Sequence, residues 1–277
     1  TICIPTFKHN PEVLLHSLSC MTRASECSLL VFDDGSRDPL LTARLADQIH
    51  AFPGPGALVT CADNAGRSSA RNRLEKLAGT DWLLFLDADM LPDDDGFLRT
   101  YIGVIGSHKE PALVAGGFSL KQATPGSNTR LHLAQSLRSE CLPAAARSSE
   151  PGRYVFTSNI LVHRKILEAV PFDNAFVGWG WEDVDWGLRA AELFPIIHID
   201  NSATHLGLDD DEALLKKYEG SGANFSRLVS RHFESMRGTP LYRMARLLKR
   251  LPGRGLLQRI SRDLALRQGL PVSLRLF

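Results

Sequence analysis

The stretch DWLLFLDAD, residues 81–89, decides the fold, because its run of apolar residues between polar ends is typical of a strand buried on both faces. Further apolar runs, rich in β-branched or aromatic residues, surround it, and segments with helical periodicity separate them. This alternation predicts an α/β fold with a mostly parallel sheet flanked by helices on both faces. The predicted strands cover residues 1–7, 27–34, 57–63, 81–89 and 112–120, and the predicted helices cover residues 12–21, 39–52, 67–79 and 93–106.

The second half of the chain is less regular. Residues 152–165 and 195–200 have the pattern of strands, and residues 182–194 have that of a helix. Residues 209–236 predict either one long helix or a broken pair of helices. The polar, turn-rich segment 121–130 predicts a mobile loop.

The composition limits the class of protein. With 277 residues and 44% hydrophobic content, the chain is long enough for one large α/β domain or two small ones. Its five cysteines are scattered and lack C-x-x-C spacing, which favours a reducing compartment over a disulfide framework or a zinc site. No signal peptide is recognisable, and no apolar run approaches the roughly 20 residues that span a bilayer. These features predict a cytoplasmic location.

The charge is distributed unevenly along the chain. Residues 240–277 carry nine of the 32 Lys and Arg and a single acid, a net charge of +8, whereas residues 1–239 carry −7. Four apolar residues recur at helical spacing within this tail, and basic residues lie between them. The pattern predicts either a helix bound to the anionic inner face of the cell membrane or one packed onto the domain or a partner chain. No nucleic-acid-binding motif accompanies the charge. The apolar residues are Leu241, Met244, Leu248 and Leu251, and the basic ones are Arg243, Arg246, Lys249 and Arg250.

Carboxylates follow two of the predicted strands. Residues 33–36 read DDGS and residues 87–89 read DAD, so both groups lie at the carboxyl edge of the sheet, where ligands bind in such folds. Buried like charges are costly unless a cation or a donor group relieves them. Hard oxygen ligands favour Mg²⁺ or Mn²⁺, so Asp87 and Asp89 predict a metal site. For DDGS, a helix-capping role of Asp33, Asp34 and Asp38 explains the acids equally well.

Five motifs occur in a fixed order: PTF at 5–7, DDGS at 33–36, NAGRSSARN at 64–72, LDAD at 86–89 and VGWGWEDVDWGLR at 177–189. The first four together resemble an inverting GT-A glycosyltransferase of family 2. The fifth is similar to the G-W-G-x-E-D signature shared by β1,4-galactosyltransferases and bacterial chondroitin-polymerase-type enzymes. Each motif is weak alone, and their order makes the resemblance specific over about the first 210 residues.

The resemblance implies transfer of a sugar from a nucleotide-sugar, usually a UDP-sugar, to a glycan or lipid-linked acceptor, with Mn²⁺ or Mg²⁺ held by the D-x-D. Together with the charge asymmetry, it predicts a GT-A (Rossmann-like) domain over residues 1–239, divided near residue 120 into a nucleotide-binding half and an acceptor half. The basic amphipathic pattern predicts a C-terminal helical extension over residues 240–277. The residues that would contact the donor are Pro5, Thr6 and Phe7 beside the nucleotide, Asp34 on the base, Asp87 and Asp89 on the ribose and metal, and Asn64, Arg67 and Arg71 near the diphosphate. An alternative for Arg67 and Arg71 is a solvated helix face that pairs with Glu75.

Inverting transfer also needs a base on the far side of the sugar from the metal. The acidic pair Glu182 and Asp183 is the candidate, and the resemblance implies that Asp183 is the base while Glu182 holds sugar hydroxyls. Gly178 and Gly180 would allow close approach of the backbone, and Trp179 and Trp181 would offer apolar faces to sugar rings. The alternative is that the acids only favour a helix N-terminus, although one helix turn can serve both purposes.

Three weaker candidates lie elsewhere in the second half. His205 occupies the place where related enzymes carry a metal-ligating His, and a neutral imidazole suits Mn²⁺; a plain surface His is the alternative. His198 is expected to be either a surface residue or a packed strand residue. Ser158 or Asn159 would touch sugar hydroxyls, or would belong to an ordinary strand with a polar bulge.

Two rival functions share these features. A non-catalytic nucleotide-sugar or glycan binder would bind the donor without turnover, although every expected acid is present. A nucleotidyltransferase would carry a Gly-rich basic loop directly after the first strand, and PTFKHNPE at 5–12 contains no glycine.

Overall fold

The computed structural model describes residues 1–276, and a seven-stranded sheet forms its centre. A second sheet of three short strands lies beyond one end of the strands. The strands in chain order are β1 Ile2–Thr6, β2 Leu29–Asp33, β3 Gly56–Thr60, β4 Trp82–Leu86, β5 Met90–Pro92, β6 Leu113–Ala115, β7 Phe118–Ser119, β8 Asn159–His163, β9 Ile196–His198 and β10 Ala203–His205.

The large sheet has the order β3-β2-β1-β4-β8-β6-β9 and is mostly parallel. Only β8 runs antiparallel to its neighbours β4 and β6. In the small sheet, β10 is central, antiparallel to β5 and parallel to β7. The predicted α/β fold class is confirmed.

Helices cover both faces of the large sheet, and the sequence positions them by their apolar stripes. In chain order they are α1 Glu12–Cys20, α2 Pro39–His50, α3 Arg67–Leu77, α4 Phe97–Ser107, α5 Arg130–Ser139, α6 Ala144–Arg147, α7 Arg164–Ala169, α8 Glu182–Ala191, α9 Asp211–Gly220, α10 Gly222–Arg231, α11 Phe233–Met236, α12 Pro240–Lys249, α13 Arg254–Leu266 and α14 Val272–Arg275.

Two hydrophobic cores sandwich the sheet, which explains why its strands are apolar on both faces. On β1, Ile2 and Ile4 point into the core shared with α1, α2 and α4, whereas Cys3 between them points into the core shared with α3, α7 and α8. This alternation follows from the two-residue repeat of a strand. The second core includes Trp186 of α8, which is stacked on Phe172 at a centroid distance of 4.4 Å. Packing of Trp186 therefore fixes the helix that begins with the acidic pair.

Two elements differ from the predictions, and a third is decided between its two alternatives. The strand predicted at 112–120 is divided into β6 and β7, because Gly117 between them has φ +100°, outside the strand conformation. Of the strand predicted at 152–165, only β8 is extended. Residues 209–236 form the broken series α9, α10 and α11 rather than one helix.

The basic tail is attached to the domain near its end. Arg275 of α14 is buried, forms an ion pair with Asp211 of α9 and donates to the Ala265 carbonyl at 2.7 Å. No side chain of α12 is buried. Packing onto the domain, one of the two alternatives for the tail, therefore holds for its last helices and not for the apolar face of α12. Within the described residues, no helix has both the length and the apolarity to cross a membrane.

Candidate active site

The loop after β2 is organised by its three aspartates. The Asp38 carboxylate accepts hydrogen bonds from the backbone amides of Leu40 and Leu41, at 2.9 and 3.2 Å, and so caps α2. Asp33 bonds the amide of Ser36 instead. Asp34 is buried and accepts from the amides of Ala65 and Gly66 at the start of α3, the shorter bond being 2.9 Å. The capping alternative is confirmed for Asp38 and is wrong for Asp33 and Asp34.

The other residues assigned to the nucleotide lie around the same edge. Thr6 ends β1 and is buried, and its hydroxyl donates to the His9 carbonyl at 2.5 Å. Phe7 directly follows and exposes 44% of its surface, while Pro5 lies within β1. Asn64 is exposed on the loop between β3 and α3. The edge thus offers an exposed aromatic ring and an exposed amide beside the Asp34 loop.

Arg71 of α3 is buried between two of the motifs, a position that the sequence does not indicate. It is 2% exposed, and its Nη2 donates to Asp87 Oδ1 at 2.8 Å while its Nη1 lies 4.0 Å from Asp183 Oδ1. Burial lowers the pKa of Arg71, but the carboxylates of Asp87, Asp183 and Glu182 outweigh it and raise that pKa, so the guanidinium is charged. One buried cation therefore joins the D-x-D motif to the acidic pair.

The solvated-face alternative is wrong for Arg71, and Glu75 pairs with Arg164 instead, at 3.2 Å. Arg67, one turn earlier on α3, is half exposed and reaches Glu182 Oε1 at 3.4 Å. Within residues 1–276, Nε and Nη1 of Arg71 are buried and lack hydrogen-bond partners. Buried donors are normally satisfied, so these two are suited to an anionic ligand.

Asp183 lies in the first turn of α8 and is held from one side. Its Oδ1 accepts from the Thr157 hydroxyl at 2.7 Å, and its Oδ2 accepts from the Thr157 amide at 3.0 Å. Burial, and then the negative charge of Glu182, raise the pKa of Asp183 to about 6 despite the opposing charge of Arg71. A carboxyl group tuned toward neutral pH is suited to proton transfer.

Thr157 was missed by the sequence reasoning, which named its neighbours Ser158 and Asn159. The carboxamide of Asn159 is used inside the protein: it accepts from the Tyr101 hydroxyl and donates to the carbonyls of Gly117 and Asn201. The prediction that Asn159 contacts a sugar hydroxyl is therefore wrong. No local signal singles out Thr157, because its role depends on a contact 26 residues away.

The G-W-G-W segment is a tight turn before α8. Gly178, Gly180 and Trp181 all have positive φ, at +80°, +93° and +77°. The two glycines are therefore needed for backbone conformation, and Trp181 holds a conformation rare for a bulky side chain. Such strain is most often found at functional sites.

The turn presents its two tryptophans differently. Trp179 packs edge-on against Tyr218, with ring centroids 5.2 Å apart, and Trp181 packs against Phe225 at 4.9 Å. Trp181 Nε1 and Glu182 Oε2 are buried polar atoms without partners among the described residues. A donor and an acceptor without partners, on consecutive residues, are suited to a polyhydroxylated ligand.

Asp89 directly precedes β5, His205 ends β10, and the two side chains are in contact. Asp89 Oδ2 lies 3.0 Å from His205 Nε2. Burial opposes ionisation of both groups, but their mutual contact prevails, lowering the pKa of Asp89 and raising that of His205. The surface alternative for His205 is wrong, since only 17% of its side chain is exposed. His198 is packed in β9, with Nδ1 2.7 Å from a guanidinium nitrogen of Arg147.

These donors fit a hard divalent cation in part. Carboxylate oxygen and imidazole nitrogen are suitable ligands, and Mg²⁺ or Mn²⁺ commonly takes the rest from phosphates and water. Asp87 is committed to Arg71, and nowhere in residues 1–276 do three or more His, Cys, Asp or Glu side chains converge as a metal group. His132, whose ring lies 5.6 Å from that of His205, was not predicted from the sequence.

Gly207→Ala is expected to weaken metal binding. A Cβ at this position would collide with Asp89 Oδ2 and lie 3.3 Å from His205 Nε2, so the Asp89 carboxylate would have to shift from its place beside His205. We expect at least a roughly tenfold rise in the Mn²⁺ dissociation constant, measured by titration calorimetry. Gly103→Ala, where a Cβ meets open space, is the matched control. Equal affinity in both variants would contradict the assignment.

The fold has counterparts among solved structures. S. aureus TarS 1–349 is similar over 99% of this chain and 81% of its own, with TM-score 0.57 and 18% identity. Its complex with UDP-GlcNAc gives TM-score 0.57 and 15% identity over 99% and 82% of the two chains. The mannosyltransferase PcManGT from Pyrobaculum calidifontis, in complex with GDP-Man and Mn²⁺, gives 0.57 and 14% over 99% and 72%. A comparison with curated protein sequences found no match.

The fold and these similarities define a GT-A architecture. Residues 1–170 match the model of Glycosyl transferase family 2, and the chain belongs to that family. The G-W-G-x-E-D segment at 177–189 lies outside the matched residues, so its likeness to galactosyltransferases and chondroitin polymerases stays a prediction. Family membership favours the transferase over the nucleotidyltransferase alternative.

Proposed function

We propose that this chain is a metal-dependent, inverting glycosyltransferase that passes a sugar from a UDP-sugar to a hydroxyl group of a glycan or lipid-linked acceptor. The observation that carries the proposal is the buried Arg71, which joins Asp87 of the D-x-D to Asp183. Inverting displacement needs a leaving-group station and a base station that are held apart in fixed geometry. Arg71 fixes that geometry, because it bonds Asp87 and lies beside Asp183.

Asp183 is the proposed base. Its carboxylate is fixed by Thr157 and keeps about a quarter of its side chain exposed, so an acceptor hydroxyl has access to it. The proton of the acceptor hydroxyl passes to Asp183 as its oxygen attacks the anomeric carbon and the bond to the diphosphate breaks. The raised pKa of Asp183 gives the carboxylate the proton affinity that this step uses.

The leaving-group site, on the other side of the sugar from Asp183, binds the diphosphate. Asp89 and His205 would hold Mn²⁺ or Mg²⁺, which when bound stabilises the negative charge of the leaving group. The unpartnered Nε and Nη1 of Arg71, together with the exposed guanidinium of Arg67, add positive charge on the protein side. PcManGT in complex with GDP-Man and Mn²⁺ supports this choice of metal.

The remaining predicted residues would recognise the nucleotide and the sugars. Pro5, Thr6, Phe7 and Asn64 would surround the nucleotide, and Asp34 would accept from the base in addition to the amides of Ala65 and Gly66. The TarS complexes with UDP and UDP-GlcNAc support a uridine nucleotide. Trp179 and Trp181 would stack against sugar rings around Gly180, with Glu182 bonding their hydroxyls.

Thermal shift with Mn²⁺ and a panel of UDP-, GDP- and dTDP-sugars tests the proposal. A nucleotide-sugar that binds the folded state at about 100 times its dissociation constant should raise Tm by roughly 5 °C. We expect UDP-sugars to give the largest shift and omission of Mn²⁺ to reduce it. Absence of stabilisation by every nucleotide would refute the proposal, and stabilisation without turnover on any acceptor would favour a non-catalytic binder.

The pH profile of kcat/KM should show an acid limb near pH 6. Burial and the charge of Glu182 raise the pKa of Asp183 to about 6, and only its deprotonated form accepts a proton. Activity should therefore fall about tenfold per pH unit below that value and be constant above it. Saturating Mn²⁺ keeps protonation of Asp89 and His205 from setting the limb. An acid limb at the ordinary pKa of an exposed Asp would contradict the role of Asp183.

A further inference from the structure

The helix α12 and Leu251, two residues beyond its end, carry an apolar stripe that faces solvent. Leu241, Met244, Leu247, Leu248 and Leu251 recur every three or four residues and are between 39% and 58% exposed. The opposite side of the helix lines a groove of about 460 Å³ against α10. An ordinary surface helix buries its apolar side and exposes its charged side. Here the side that carries Arg246, Lys249 and Arg250 faces the domain. The groove residues of the helix and its end are Tyr242, Ala245, Arg246, Lys249 and Arg250.

The helix α13 has the same reversed orientation. Leu256, Leu257, Ile260 and Leu264 occupy one side and are between 41% and 65% exposed. Ala265, on the other side, is the one residue of this helix that is buried. Two consecutive helices therefore present apolar stripes outward.

Contacts with the domain fix α13 in this orientation. Arg262, opposite its stripe, forms an ion pair with Glu219 of α9 at 3.2 Å. The buried Arg275 of α14 donates to the Ala265 carbonyl and pairs with Asp211. The stripe is thus held away from the domain by specific polar contacts. Contiguous exposed apolar surface on a folded domain commonly marks an interaction site.

We propose that α12 and α13 form a docking surface for an anionic lipid bilayer, with the two apolar stripes inserted among the lipids. Charge decides the occupant: residues 240–277 carry +8, and Arg243 of α12 and Arg259 of α13 are exposed beside the two stripes. A basic amphipathic helix binds anionic membranes through both features. Two copies of this surface would repel each other, which disfavours self-association through it. The proposal does not depend on the transferase activity.

Vesicle sedimentation of the whole chain tests this surface. Binding to vesicles that contain phosphatidylglycerol is expected, with little binding to pure phosphatidylcholine and a decrease as salt rises. Two double variants separate the contributions: Leu248→Gln with Leu257→Gln removes apolar contact at constant charge, and Arg243→Gln with Arg259→Gln removes charge from beside an intact stripe. Each should weaken binding at least about tenfold. Leu40→Gln, at a 72% exposed position on α2, is the matched control and should bind as the parent does.

All altered side chains are exposed, so melting curves of the variants should match that of the parent protein. Absence of binding to anionic vesicles, or equal binding by both double variants and the parent, would overturn the proposal. Sedimentation velocity without lipid tests the other possible occupant, a second copy of the chain. A dimer that the Leu248→Gln, Leu257→Gln variant loses would assign the surface to a second copy and also overturn it.

Discussion

Asp183→Asn is expected to lower kcat by about 10³-fold while leaving UDP binding in the presence of Mn²⁺ nearly unchanged, because a positioned general base typically contributes 10²- to 10⁴-fold. The Asn carboxamide has the size of the carboxylate and can keep its contact with the Thr157 hydroxyl, so geometry is preserved and basicity is lost. The nucleotide is assigned to the other station, around Asp89 and Asp34.

The stability of this variant has a predicted sign as well. Because burial raises the pKa of Asp183 in the folded state, its charged form lowers the free energy of unfolding at neutral pH, and this cost disappears as pH falls through the folded and then the unfolded pKa. Neutral Asn should therefore not lower Tm at pH 7. Glu192→Gln, at the end of the same helix, is the control. Retained turnover, or loss of UDP binding, would assign Asp183 another role.

Arg71→Met is expected to have the second largest effect, on both activity and stability. It removes the buried cation between Asp87 and Asp183 and leaves both carboxylates without it. Breaking a buried pair from one side costs up to about 3–5 kcal/mol, and partial exposure of Asp87 places the expected loss toward the lower end. Loss of a preorganised charge near the leaving group should lower kcat by about 10²-fold.

The pH profile distinguishes this role from a purely structural one. Without the charge of Arg71, the pKa of Asp183 should rise further, and the acid limb of kcat/KM should move to higher pH. Arg71→Lys should restore part of the activity and move the limb back. Arg67→Gln, one turn earlier and half exposed, should change Tm little. An unmoved limb in Arg71→Met would show that Arg71 does not act on the base.

Much of the fold was predictable from the sequence because it rests on local patterns. Strands β1 to β4 and helices α1 to α4 follow from apolar runs that alternate with amphipathic segments. The division between β6 and β7 was not predictable. It lies at Gly117, whose φ of +100° departs from the strand conformation, and a pattern of apolar residues does not reveal that backbone conformation.

The residues of the candidate site could be predicted from the sequence, but the contacts between them could not. The acids at 87–89, the pair Glu182 and Asp183, and His205 were identifiable from residue type and order, and the structure brings Asp89 to His205. The partners of these acids were not identifiable. Arg71 has the appearance of an ordinary helix-surface residue, and its helical neighbour Glu75 offered a plausible partner that pairs with Arg164 instead.

The sequence by itself determined the α/β alternation, the carboxyl-edge acids and the order of motifs that resemble family 2, because these depend on periodicity and residue chemistry within short windows. Only the tertiary structure decided that Arg71 is buried between two motifs, that Thr157 holds Asp183, and that the tail presents its apolar stripes outward. The physical reason is common to all three. Burial and pKa depend on which distant segments pack together, and a local pattern contains no information about the far partner.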